Sequence, residues 1–209
     1  RQVDQTPVPY SVDREWFTLA IKTNAKNSSL LGSLLGSLNQ KTFYYTFIVF
    51  PAGQSEIGSV SDEPTRDPDE VRHSVTLTRP FALLDREITF EELITFQPKF
   101  VGYMLQFHGK PEDAGAGVSW YESVSFCRWL SQESGLSESD QSYADPESLD
   151  KEQYPRETEL LANWAPQNWP LELGRRGFRL PTETEWEVAG RAGTRTAYGY
   201  GSDAALLGR

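Results

Sequence analysis

The sequence predicts an α+β fold of short strands, about three helices and long loops. Three observations predict it. Runs rich in β-branched and aromatic residues crowd the first ninety or so positions. Three hydroxyl-x-x-glutamate patterns follow, each opening a helical stretch. Strands and helices also keep to separate parts of the chain, without the strand-helix-strand rhythm of a parallel sheet.

Taken in order, residues 1–15 are polar with two prolines and read as an arm. "EWFTLAIK" (15–22) reads as a first strand. "NSSLLGSLLGSLNQ" (27–40) is a local Leu-Gly-Ser repeat, whose glycines weaken a helix by about 1 kcal/mol each. It is either a loose insertion or an exposed apolar contact for another chain. Residues 1–40 are therefore set apart as arm and insertion, and 41–209 as the domain proper.

"KTFYYTFIVFPAG" (41–53) is a strand entering a turn at Pro51 and Gly53, with "SEIGS" (55–59) as its expected hairpin partner. "VSDEPTRDPDEVR" (60–72) is a charged surface loop. "HSVTLTRPFALLDREIT" (73–89) suits one or two strands.

Thr89 with Glu92, Ser119 with Glu122, and Thr182 with Glu185 then have capping-box spacing. They open helices through "FEELITF", "WYESVSFCRWLSQESG" and "ETEWEVAGRAG". In the second, Trp120, Val124, Cys127 and Leu130 form one buried stripe, and Gly135 closes the helix. Leu180 and Trp186 have the spacing of a hydrophobic staple around the third. Residues 136–177 are long, mostly acidic and proline-broken, an insertion loop of the length that is functional or mobile. Trp164 and Trp169 indicate that its second half packs down.

Composition bounds function. A chain of 209 residues with 38% apolar and 24% charged residues suits one soluble globular domain. A net charge of −10 argues against nucleic acid and against anionic membrane surfaces as partners. Cys127 is the single cysteine, so neither an internal disulfide nor a multi-thiolate zinc site can form. His73 and His108 are too isolated for a metal cluster. The chain shows no 18-residue apolar run and no signal-peptide pattern, which sets a cytoplasmic expectation. Arginine at both ends, without an initiator Met, suggests one processed chain of a larger protein.

No phosphate-binding loop, nucleophile elbow, zinc-protease helix or EF-hand loop is present. Cys127 could be a nucleophile, but its place on an apolar stripe favours burial. His73 reads as a hydrogen-bonding edge residue rather than a base. Glu183, Glu185 and Glu187 could be a carboxylate cluster. However, Glu185 completes a cap and Glu183 complements the helix dipole without any ligand. Arg179 pairs with a local carboxylate or holds a buried carbonyl. No catalytic, cofactor-binding or metal-binding residue is assigned.

"FRLPTETEWEVAGRAG" (178–193) resembles the Arg-Leu-Pro-Thr-Glu-x-Glu-Trp-Glu signature of the formylglycine-generating enzyme, or sulfatase-modifying factor, family. Arg179, Leu180, Pro181, Thr182, Glu183, Glu185 and Trp186 carry that likeness. "IVFPAGQSEIGS", "DEVRHSVTLTRPFALLDREITFEELITF" and "GVSWYESVSFCRWLS", with Ser119, Trp120 and Glu122, resemble further family motifs in the same order. The likeness covers roughly Phe47 to Arg209. The ending "YGYGSDAALLGR" resembles a branch fused to bacterial signalling proteins.

The resemblance implies the irregular, C-type-lectin-like fold of the family. It also implies an active-site cysteine pair, copper chemistry and structural calcium sites, all in a later part of the domain beyond Arg209. The chain is then expected to hold only the N-terminal portion, completed by a second polypeptide. Cys127 matches a helix cysteine of the family, not the catalytic pair. Two functions follow as expectations. One is a diverged recognition module for a protein or small ligand at its loops, in a larger bacterial protein. The alternative is a copper-dependent oxidase converting a client cysteine to formylglycine, its catalytic residues in the missing segment.

Overall fold

In a computed structural model, residues 14–23, 41–61, 63, 66–150 and 169–194 are described. The Leu-Gly-Ser repeat, Trp164 and the C-terminal "YGYG" lie outside them. The chain is α+β, with five strands and four α-helices among the described residues. It divides into two compact units: residues 1–18, 46–85 and 181–209, and residues 19–45 and 86–180.

The strands are β1 (Trp16–Thr23), β2 (Lys41–Phe50), β3 (Gly53–Ile57), β4 (His73–Leu77) and β5 (Phe81–Leu84). One sheet has the order β1-β2-β5, and β3 pairs with β4 in a second. In the first unit the Val49 amide donates to the Glu15 carbonyl at 2.9 Å, and the Thr18 and Thr46 hydroxyls meet at 3.0 Å. The Phe17 and Phe47 rings stack at 5.3 Å. Phe50 and Phe81 stack at 4.9 Å across the antiparallel β2–β5 register.

The expected hairpin of 41–53 with 55–59 does not form. β3 pairs antiparallel with β4 instead, Ile57 opposite His73. Pro51 has no amide to continue a ladder, and Gly53 at φ +151° turns the chain out of the first sheet. The stretch 73–89 therefore supplies two strands, one to each sheet.

The helices are α1 (Phe90–Phe96), α2 (Phe100–Gln106), α3 (Trp120–Glu133) and α4 (Glu183–Arg191). All three expected capping boxes are present, at Thr89, Ser119 and Thr182. The sequence signals three helices, and α2 is a fourth: Lys99 caps it without any side-chain bond. Its Phe100 and Met104 are buried nonetheless, and α2 packs on α1. Gly135, at φ +80°, ends α3 as expected.

The second unit's core gathers Tyr121, Val124, Cys127, Tyr143 and Trp169, with Trp120, Leu149, Phe178 and Leu180 packed against it. Of the expected stripe on α3, Val124, Cys127 and Leu130 are thus buried and Trp120 is half-buried. Within residues 136–150, Gln141, Ser142 and Tyr143 are buried, and short 3-10 turns form at Glu138–Asp140 and Pro146–Ser148. Trp169 is buried as expected. Among the described residues, no helix is long and apolar enough to cross a membrane.

Candidate functional site

The signature residues fall in two settings. In the second unit, Ser119 accepts from the Glu122 amide, and Glu122 accepts from both the Ser119 amide and hydroxyl at 2.9 Å. Glu122 is buried and pairs with Lys99. Burial works against its charge, but Lys99 and the Ser119 cap outweigh it and hold the carboxyl below its usual range. Trp120 meets Tyr121 edge-on at 5.1 Å and Trp169 at 5.7 Å.

Arg179 donates to the Leu180 carbonyl at 3.0 Å, so it does hold a carbonyl. The Leu180 amide donates to the Tyr143 hydroxyl at 3.2 Å, and the Phe178 amide to Ser131 Oγ at 2.8 Å. Arg128 donates to the Tyr143 carbonyl at 2.5 Å and forks onto Glu138 at 2.8 and 2.9 Å.

Cys127 sits inside this core. Burial pushes its thiol up to about 12, with Arg179 pulling weakly the other way. A thiol that stays protonated at neutral pH is a poor nucleophile and a poor metal ligand. The copper that the family implies therefore finds no fitting ligand in this cysteine, and the sequence offers no second one. Among the described residues, no three His, Cys, Asp or Glu side chains converge as a metal site. His73 Nδ1 lies 2.7 Å from the Val71 carbonyl, the edge role expected of it.

In the first unit, Pro181 is half-buried and leads into the Thr182 cap. Thr182 accepts from the Glu185 amide at 3.2 Å, and the Thr182 amide donates to Glu185 at 2.8 Å. Glu183 is exposed in the first turn, and Glu185 is buried. Trp186 departs from expectation. It is 65% exposed, and a ring left in solvent cannot staple the helix to a core. Spacing placed it one turn from the cap but could not say which way that turn faces.

Glu187 and Arg191 carry what the sequence reading missed. Glu187 accepts from the Gly58 amide at 2.7 Å, while Arg191 donates to the Gly58 carbonyl at 2.8 Å and to Glu187 at 2.8 Å. Both polar groups of one peptide residue are thus clamped by one helix turn. Gly58 has φ +84°, and a Cβ there would lie 2.6 Å from the Val71 carbonyl oxygen. The available signal was the Glu-x-x-x-Arg spacing of 187 and 191.

Beside this clamp lies a cleft of about 840 Å3 within the first unit, lined by residues including Arg14, Glu15, Phe50, Gln54, Glu56 and Thr194. The Arg14 guanidinium lies 4.6 Å over the Phe50 ring. No motif marked Arg14, Glu15 or Thr194, and the cleft as a whole draws its lining from four separate segments of the chain.

PvdO from Pseudomonas aeruginosa is similar at 24% sequence identity, over 43% of this chain and 41% of that one, with a TM-score of 0.34. The chain thus matches less than half the length of that structure. No curated protein matches. The family model for the sulfatase-modifying factor enzyme 1-like domain matches residues 36–206. That match begins before the motif-based limit at Phe47, and it does not support the expectation of an N-terminal portion alone. The chain belongs to the sulfatase-modifying factor enzyme 1-like family.

Proposed function

We propose that this domain is a recognition module within a larger bacterial protein. The observation that carries this reading is the cleft of the first unit. Its volume of about 840 Å3 suits a small molecule or a peptide end. Its walls mix apolar Phe50, Pro51, Pro80 and Val188 with charged and amide side chains, the composition that orients a bound group. The groups present there hold and position rather than attack.

The test is a ligand-observed NMR screen of the full chain against a fragment library, with hits mapped by labelled resonances. Hits that perturb Phe50, Gln54 and Thr194 support the reading. Hits found only elsewhere would move the site, and a chain that binds nothing at the cleft would sink it.

Family membership favours a second reading, oxidation of a client cysteine to formylglycine. This chain's own thiol does not fit that chemistry, so the reading depends on residues outside it. Copper-dependent oxygen consumption with a cysteine-containing peptide, by the protein in which this chain occurs, would carry it.

A further inference from the structure

We infer that the cleft of the first unit seats a monocarboxylate through Arg14, with an apolar body lying along Pro51, Pro80 and Val188. The inference rests on the recognition reading and deepens it by naming the ligand's chemistry.

The charged groups lining the cleft differ in what they already hold. Arg191 is committed to Glu187 and to the Gly58 carbonyl. Glu56 accepts from Arg72 at 3.2 Å. Among them Arg14 alone sets its guanidinium carbon over an aromatic ring, 4.6 Å from the Phe50 centroid, and among the described residues no carboxylate lies within ion-pair distance of it. A cation–π contact of this kind leaves the guanidinium's edge of N–H donors without an acceptor oxygen. That edge matches the two oxygens of a carboxylate. Phe50 is buried and stacked on Phe81, so the guanidinium rests on a fixed surface. Holding the donors in place before binding removes part of the ordering cost.

A second group points the same way. The Thr194 hydroxyl is shielded from solvent and has no hydrogen-bond partner among the described residues, and Thr194 lines this cleft. An unmade bond at a buried hydroxyl is costly, and rotation of the Thr194 side chain toward the cleft would let a ligand oxygen satisfy it. The opposing charge is Glu15, which is exposed. Its field is screened by water and salt, yet it disfavours ligands with several negative charges. One carboxylate with an apolar body therefore fits better than a di- or tricarboxylate or a phosphate ester. The carboxylate has two sources, a free organic acid or the C-terminus of a polypeptide.

Isothermal titration of the full chain with phenylacetate and with phenylacetamide tests the free-acid source. The tripeptide Gly-Gly-Phe with a free or an amidated C-terminus tests the polypeptide source. The acid of at least one pair is expected to bind at least about tenfold more tightly than its amide. Arg14→Ala should remove that preference, and Arg14→Lys should restore part of it. Thr194→Val should weaken binding by about threefold, and Arg175→Ala, outside the first unit, should leave it unchanged. Circular dichroism of each variant separates lost binding from lost folding. Acid and amide binding equally, or Arg14→Ala binding as well as the parent, overturns the carboxylate assignment while leaving the cleft a recognition site. No binding of either member of both pairs overturns the assignment, and the fragment screen then decides the broader reading separately.

Discussion

Ser119 and Thr182 cap α3 and α4 through the same reciprocal bonds, yet the tryptophans that follow go to opposite environments. Trp120 is half-buried and touches Tyr121, Tyr143 and Trp169. Trp186 stands 65% exposed. The cap glutamates do not follow that split, since Glu122 and Glu185 are both buried. On α4 it is Glu185 and Glu187 that are engaged, the first buried in the cap and the second bonded to Gly58. A capping box therefore marks where a helix starts and is silent about which face it buries. That second question is settled by periodicity: α3 carries apolar residues at successive threes and fours, and α4 does not.

This contrast can be broken or sharpened by substitution. The largest effect is expected for Trp169→Ala. It strips the aromatic core on which α3 rests and should cost about 3–5 kcal/mol in urea denaturation. An effect below about 1 kcal/mol would mean that this core collapses to fill the gap. Next comes Gly58→Ala. It combines a positive φ with a Cβ pressed on the Val71 carbonyl and should cost about 2–3 kcal/mol. A loss below about 0.5 kcal/mol would mean that the backbone around Val71 shifts to admit the methyl group.

Ser119→Ala and Thr182→Ala should each cost about 1 kcal/mol, because the cap chemistry is shared. A much smaller loss at Thr182 would show that the clamp alone holds α4 in place.

The pH response should separate the helices further. The folded Glu122 carboxyl is held below its usual range, so its contribution is present above the ordinary carboxylate pKa. It is lost as pH falls through the lowered value. The stability-pH curve of Glu122→Gln should accordingly be flatter than the parent's on the acid side of pH 4.5. Identical curves would remove the Lys99–Glu122 pair from the account. The smallest effect is reserved for Trp186→Ser, within about 0.5 kcal/mol. Iodide should quench Trp186 fluorescence more than that of Trp120 or Trp169, and equal quenching would contradict its exposure.

Much of this fold was legible because its signals are local. Val- and aromatic-rich runs located the strands, and reciprocal hydroxyl-glutamate pairs located three helix starts. Pairing was not legible: β2 selects β5 across thirty or so residues, and nothing in Pro51-Ala-Gly53 says that β3 belongs to another sheet. α2 escaped because Lys99 supplies no cap bond and its buried Phe100 and Met104 give only one repeat of the helical period. The motifs named the family, since motif order survives in a linear string. The cleft did not show, because Arg14, Phe50, Gln54 and Thr194 are neighbours only after folding.

The acidic stretch following α3 is pinned at both margins. Ser142 donates to the Gly177 carbonyl at 2.6 Å and its own carbonyl accepts from Glu172 at 2.8 Å, while Tyr143 bridges to Leu171. Asp140 accepts from the Gly177 amide at 2.8 Å and binds Arg176. A Cβ on Gly177 would fall 2.7 Å from the Ser142 nitrogen, so the two margins touch at the backbone itself. Closing a loop costs only about 0.6 kcal/mol more for each doubling of its length. Length added between margins already held together would therefore cost little closure entropy, which makes this junction a natural position for grafting a foreign peptide into the domain.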